Sequence, residues 1–307
     1  MADAVDLVET GLTLKAEGKA ENRPRARIPY PDGLFHYMAA SAPSIGSVGL
    51  KCYASGRAGA NFVVLLFSTE TSALQAIVEA DWLGRIRTGA ASGVATRLLA
   101  RRDARTAGVI GAGSQAQTQI EALAAVRELE TIKIYSRSEE RRRSLVDALQ
   151  PRLNVKLMPV SSAEEAVREC EIVTTITTSR EPVFDGHWLA PGSHVNAAGS
   201  NQARRREVDT TTVSRASVIA VDSLEQAQIE AGDLILAEED GERVWDRAVE
   251  LGDLLAGKAP FRRDGETITL FASQGLAIED IMVAQHVLER ARETGRGQEI
   301  DLEGRAG

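Results

Sequence analysis

The chain has 307 residues, twice the ~150 typical of one domain, so two domains are expected, and 43% hydrophobic with 26% charged residues is the composition of a folded globular protein. A net charge of −8, with the arginines scattered or locally helical, opposes a phosphate backbone and excludes nucleic acid as the natural partner. Two cysteines, Cys52 and Cys170, are too few for a secreted disulfide framework, and His36, His187, His194 and His286 show no metal-ligand spacing, which leaves small-molecule chemistry in a reducing cytoplasm with no metal as the expectation.

Along the chain, residues 1–20 read as a helix, in which Asp3, Asp6, Glu9, Lys15, Glu17 and Lys19 break up any apolar core of a signal peptide, so export is not expected. A polar segment leads into short strand-like stretches, the clearest at 62–67, whose six residues form the longest apolar run and cannot span a bilayer. Cys52, beside Lys51, reads either as a reactive thiol or as a small core residue. Over 81–99 small and apolar residues recur at helical spacing (Ala90, Val94, Leu98), and the charged stretch 101–105 that follows marks a domain boundary. Beyond it, strands at 107–110, 131–135, 155–158, 172–176, 194–198 and 218–221 alternate with helices at 114–128, 138–149 and 161–169. Such alternation predicts an α/β fold with a doubly wound parallel sheet covered by helices. A last strand at 267–271 precedes an amphipathic helix from 276 that returns to the first domain, and the chain after Thr294 is polar. The expected division is therefore 1–104 with 273–307, and 105–272.

Gly111-Ala112-Gly113-Ser114-Gln115-Ala116 is a G-x-G-x-x-A sequence placed directly between an apolar strand and a helix, the setting a dinucleotide fingerprint requires. Gly111 allows the tight turn, Gly113 admits a pyrophosphate to the backbone, and Ala116 lets the helix pack closely on the strand. Free N–H groups and the positive end of the helix dipole then face the anion. At the end of the next strand, where an acidic residue would bind the ribose of NAD, stand Ser136, Arg137 and Ser138. A guanidinium fork and two hydroxyls suit a 2′-phosphate, so NADP(H) is the expected cofactor and NAD(H) the alternative, while Arg137 also reads as a solvated residue at a helix start. Thr177 completes the expected cofactor-binding set.

Six ordered segments resemble the ornithine cyclodeaminase/mu-crystallin family over nearly the whole chain: Val48-Gly49-Leu50-Lys51, Arg87-Thr88-Gly89-Ala90-Ala91-Ser92, Val109-Ile110-Gly111-Ala112-Gly113-Ser114-Gln115-Ala116, Val195-Asn196-Ala197-Ala198-Gly199, Val221-Asp222-Ser223 and Gly275-Leu276-Ala277-Ile278-Glu279-Asp280. The resemblance implies a Rossmann domain at 105–272 paired with a mixed α/β domain that binds substrate and forms a homodimer through its sheet, with an imino or amino acid held in the cleft between the domains. It also implies that Arg25 and Arg87 bind the substrate carboxylate and that Lys51 is the catalytic lysine, with Arg23 and Arg27 flanking Arg25 in the same segment. Two arginines can grip a carboxylate by bidentate charge-assisted bonds and fix the α-carbon for hydride transfer. Nearby cations lower the pKa of Lys51 and make it a proton donor or acceptor near neutrality.

Cyclodeaminases and archaeal-type alanine dehydrogenases carry an aspartate where this chain has Asn201, and an amide cannot act as a general base. The expected reaction is therefore reduction of a preformed C=N bond next to a carboxylate, as in the ketimine-reductase branch, with Lys51 and Asn201 as the catalytic positions. Asn201 also reads as a turn residue after Gly199. Two other readings stay open: an amino-acid dehydrogenase or cyclodeaminase, and a non-catalytic NADP-dependent binder of a small ligand.

Overall fold

Three ten-residue strands, with alternate residues turned to a buried face, build the first half of the molecule. The computed structural model describes residues 1–57, 59–259, 261 and 265–300. After helix α1 (Ala2–Ala16), strands β1 (Glu21–Asn22), β2 (Ala26–Tyr30), β3 (Gly33–Ala42), β4 (Ser47–Gly56), β5 (Gly59–Ser68) and β6 (Leu74–Glu79) form a six-stranded antiparallel sheet in the order β1-β3-β4-β5-β6, with β2 also paired to β3. His36, Met38 and Ala40 of β3, Ser47 and Lys51 of β4, and Val64 and Leu66 of β5 share its buried face. Phe35, Tyr37, Val48 and Ile77 are exposed on the other. Because the outer face is also apolar, the sequence does not alternate cleanly, and only the centre of β5 is legible as a strand.

Helix α2 (Asp81–Leu99) leads into the second sheet. There β7 (Thr106–Ile110), α3 (Ala116–Val126), β8 (Thr131–Tyr135), α4 (Glu139–Leu149), β9 (Lys156–Pro159), α5 (Ala163–Val167), β10 (Ile172–Thr175), β11 (His194–Ala197), α6 (Thr210–Arg215), β12 (Val218–Val221), α7 (Leu224–Glu230), α8 (Gly232–Glu239), β13 (Ala248–Glu250), α9 (Leu251–Leu255) and β14 (Thr269–Ala272) follow in turn. All eight strands are parallel, in the order β13-β12-β14-β11-β10-β7-β8-β9, a doubly wound sheet that reverses direction at β7. The predicted strands fall in place. Two predicted helices are shorter: Ser114 and Gln115 belong to the turn before α3, and α5 starts after its Ser162 cap and ends before Glu169, whose φ is 63°. The elements from α6 to α9, apart from β12, run for eight residues or fewer, too short for periodicity to reveal. Helix α10 (Ala277–Thr294) packs against α1, α2 and the antiparallel sheet, as its apolar stripe predicts. Among the described residues no helix is long and apolar enough to cross a membrane.

The two sheets are held together along α2. A Cβ added at Gly89 would overlap the carbonyl oxygen of Thr118, so α2 and α3 touch backbone to backbone there. Asn196 of β11 donates to the Thr96 hydroxyl at 3.0 Å, and the Arg127 guanidinium caps the end of α2 through the carbonyls of Thr96, Arg97 and Ala100. Gly89→Ala is expected to force the helices apart and lower stability by about 1–3 kcal/mol, the range for overpacked cores. Urea denaturation reads this directly, and an unchanged midpoint would contradict the close approach.

Candidate active site

The glycine-rich turn lies at the carboxyl end of β7, where the sheet reverses. Gly111 adopts φ 125°, a left-handed value that favours glycine, and a Cβ there would overlap the Ile176 carbonyl. Gly113 is exposed, and a Cβ on it would meet nothing within 4 Å. No side chain caps the N-terminus of α3; the Ala116 N–H turns back to the Gly113 carbonyl at 3.1 Å, and the N–H groups of Gln117 and Thr118 are left, among the described residues, for an anion. The turn therefore fits a pyrophosphate. Ala112, Gly113 and Ser114 open into a pocket of about 650 Å³ whose far wall is Glu140, Arg141, Ser144 and Leu145 of α4. Ser138 caps α4, Ser136 donates to the Ser138 carbonyl at 2.8 Å, and Arg137 is exposed with no ion pair among the described residues. Arg141 is the cation that lines this pocket, whereas Ser136, Arg137 and Ser138 stand at the end of β8 outside its lining; in the sequence Arg141 is hidden inside a run of three helical arginines.

On the buried face of the antiparallel sheet, Lys51 Nζ donates to Asp280 Oδ1 at 2.8 Å. The same oxygen accepts from Arg87 Nε at 3.1 Å, and Arg87 Nη1 donates to Glu279 Oε2 at 3.2 Å. Asp280 and Glu279 stand in the first turn of α10, Arg87 in α2 and Lys51 in β4, so three elements meet in one cluster. Asp222, just after β12, accepts from the backbone N–H of Gly275 at 2.7 Å and orders the turn that leads into α10. Arg25 joins from the other side: it pairs with Glu230 and donates from Nη2 to the carbonyls of Gln274 at 2.9 Å and Gly275 at 3.3 Å. Arg27 also pairs with Glu230 and donates to the backbone carbonyl of Asn201 at 3.0 Å, whereas Arg23 is exposed. Of the three neighbouring arginines, Arg25 is thus the one buried at the cluster.

The guanidinium groups do not present the free bidentate forks expected from the sequence. Buried donors must be matched, and protein acceptors already take most of theirs. What is left is Arg25 Nε, buried without a partner, and Arg87 Nη2, for which no partner stands among the described residues. Burial pulls the Lys51 ammonium down to about 8, with Asp280 opposing and Arg87 and Arg25 adding to the fall. The predicted direction holds, but desolvation outweighs the neighbouring cations. Burial and Asp222 push Glu279 up to about 8 against the pull of Arg87. Burial alone would lower Arg87, yet Asp280, Glu279 and Asp222 together raise it above its ordinary value.

A cavity of about 280 Å³ joins the two halves, lined by Lys51, Phe62, Gly84 and Arg87 on one side and by Ser114 and Gln115 of the glycine-rich turn on the other. Gln115 Oε1 is buried there with no partner among the described residues. Gly84 makes room for the lysine, since a Cβ on it would lie 2.9 Å from Lys51 Nζ. Thr177 follows β10 and donates its N–H to Glu207, and Asn201 is half-buried with, among the described residues, only its backbone carbonyl engaged; neither lines the cavity. Sequence patterning by itself gives no role to Asp280, Glu279, Asp222 or Glu230. The available signal was an acidic pair inside an apolar helical turn, Ile278-Glu279-Asp280-Ile281, which is more costly to bury than any surface function would require.

A doubly wound sheet whose glycine-rich turn shares a cavity with a buried lysine and arginine defines an oxidoreductase of the dinucleotide-binding class. The ornithine cyclodeaminase/mu-crystallin family model matches residues 1–295, and the chain belongs to that family. It is 36% identical over 273 residues to the Δ1-pyrroline-2-carboxylate reductase of Bacillus cereus, covering 86% of this chain and 84% of that protein. The structure of Thermococcus litoralis Δ1-pyrroline-2-carboxylate reductase in complex with NADH and L-proline matches with a TM-score of 0.92 at 33% identity, over 97% of this chain and 95% of that one. An archaeal alanine dehydrogenase dimer with bound NAD matches with a TM-score of 0.92 at 33% identity, over 98% and 95% of the two chains.

Proposed function

We propose that the protein is an NAD(P)H-dependent imine reductase that converts cyclic or N-substituted α-imino acids into the corresponding amino acids. The observation that carries this reading is the shared cavity, in which Lys51 and Arg87 face Ser114 and Gln115 of the cofactor turn. A reduced dinucleotide held by its pyrophosphate at that turn would supply a hydride from its nicotinamide. The substrate carboxylate is held by Arg87 Nη2, with Arg25, buried behind the cluster and outside the cavity lining, adding its charge. As hydride reaches that carbon and the C=N π bond breaks, the Lys51 ammonium gives its proton to nitrogen, yielding CH–NH and a neutral lysine. Asp280 keeps Nζ aimed into the cavity, and the lowered pKa of Lys51 makes that proton easy to release near neutrality. Asn201 supplies no general base at the α-carbon, which suits reduction of an imine already formed.

In this reading residues 1–104 with 273–307 bind the substrate and 105–272 bind the dinucleotide. The exposed Ile28, Tyr30, Phe35, Tyr37, Val48 and Ile77 form an apolar surface on the antiparallel sheet suited to a second copy, giving a homodimer. Arg137, the serines beside it and Arg141 favour NADPH over NADH through the 2′-phosphate.

The test is cofactor oxidation, followed at the nicotinamide absorbance, with Δ1-pyrroline-2-carboxylate and Δ1-piperideine-2-carboxylate. Turnover with either imine is expected, faster with NADPH, and Arg137→Ala is expected to lose about tenfold in NADPH affinity, the value of one charge-assisted contact, with NADH unchanged. Cofactor binding with no turnover of either imine would contradict the reductase reading, and an equal response to both cofactors would contradict the role of Arg137.

A further inference from the structure

Glu207 lies between β11 and α6, is fully buried, and does not line the substrate cavity. Its Oε1 accepts from the Thr177 backbone N–H at 2.5 Å, and its Oε2 accepts from the Gly199 N–H at 2.6 Å and the Thr175 hydroxyl at 3.0 Å. Thr175 ends β10 and Gly199 follows the end of β11, so a single carboxylate joins the exits of two neighbouring parallel strands. The join is tight: a Cβ on Gly199 would overlap the Thr177 backbone and lie 2.6 Å from Glu207 Oε1. One strand over, Gly111 packs in the same way against the Ile176 carbonyl, so the ends of β7, β10 and β11 form one continuous backbone shelf. Glu207 is fixed in turn by Asp233, whose Oδ1 accepts from the N–H groups of Glu207 at 2.6 Å and Val208 at 2.9 Å.

Ligands of doubly wound sheets lie across the carboxyl ends of the strands, and a dinucleotide whose pyrophosphate sits at the first turn extends its other half over the strands beyond the reversal. Here those strands are β10 and β11. We propose that Glu207 is a positioning residue for the nicotinamide half of the cofactor. By fixing Thr177 and Gly199 it sets the shelf on which the nicotinamide riboside rests, whereas the adenosine half, held by the glycine-rich turn and the end of β8, does not depend on it. The proposal rests on the dinucleotide reading above.

A carboxylate suits this position because it only accepts, and three donors converge on it. An amide of the same shape would turn its NH₂ toward either Thr177 N–H or Gly199 N–H, donor against donor, and one loop would have to move. Burial, and after it Asp233, push Glu207 up to about 7, while the Thr177 and Gly199 N–H groups oppose the rise. Protonation near neutrality therefore disturbs the same bonds. Asp233 is the charged neighbour facing it, and burial raises that group to about 6.

The experiment is calorimetric titration of the wild-type protein, Glu207→Gln and Thr175→Val with NADH and with ADP-ribose, which lacks the nicotinamide. Glu207→Gln is expected to bind NADH about tenfold more weakly and ADP-ribose within about twofold of wild type, with Thr175→Val shifted in the same sense by less. Wild-type affinity for NADH is expected to fall as pH drops from about 8 to about 6, and that of Glu207→Gln to stay level, a difference that a general loss of stability would not produce. Equal losses for both ligands, or no loss for either in folded variants, would overturn the proposal. A wild-type protein that bound neither ligand would overturn the dinucleotide reading and the proposal with it.

Discussion

Lys51→Met is expected to lower kcat/KM for a cyclic imine by about 10²–10⁴-fold, the usual worth of a positioned general acid, while the Kd for the dinucleotide stays within about twofold. Methionine fills the volume of the lysine stem, and Asp280 keeps the Arg87 Nε–H as a partner, so the variant should fold. The sign of the pH dependence follows from the group. Lys51, held near 8, carries its proton below that pH and loses it above, so imine reduction should decline as pH rises through about 8. Glu279 is also held near 8 but is fully buried against Arg87, so a Lys51 variant that kept the wild-type pH profile would transfer that titration to Glu279. A Lys51→Met protein with wild-type kcat/KM would remove the lysine from the mechanism.

Substitution of Arg87 should have two separable effects. Arg87→Leu removes the guanidinium that faces Asp280, Glu279 and Asp222, and breaking such a buried cluster typically costs about 3–5 kcal/mol. Arg87→Lys keeps a charge near the carboxyl groups but loses the fixed fork that reaches Asp280, Glu279 and the cavity together. Its fold should therefore survive, and its KM for the imine should rise about tenfold, the loss of one charge-assisted contact. Thermal denaturation reads the first effect and steady-state kinetics the second. A Leu variant as stable as wild type would contradict the cluster, and a Lys variant with unchanged KM would contradict carboxylate binding by Arg87.

What the sequence revealed of this fold and site was what is local. The turn from Gly111 to Ala116 and strand β8 were legible because their signals, glycines at fixed offsets and a short apolar run, lie within a few neighbouring residues. The antiparallel sheet was mostly hidden because both of its faces carry apolar residues, so β3 and β4 never show a period of two. The site divides in the same way. Lys51, Arg25 and Arg87 could be named only by resemblance, since nothing local distinguishes a buried cation from a surface one. The acidic partners were out of reach: Asp280 is 229 positions from Lys51 and Glu230 is 205 from Arg25, so these pairs exist only once α10 folds back and α7 closes on β2. Glu207 gave no signal either, because its role lies in two backbone N–H groups that the fold delivers to it.

The most direct test of the central claim is the fate of the hydride. With Δ1-pyrroline-2-carboxylate and nicotinamide cofactor deuterated at the transferring carbon, the account predicts proline carrying one deuterium at its α-carbon and one equivalent of cofactor oxidised. Cofactor oxidation without deuterium in the product, or no proline formed while the cofactor remains bound and reduced, would contradict it.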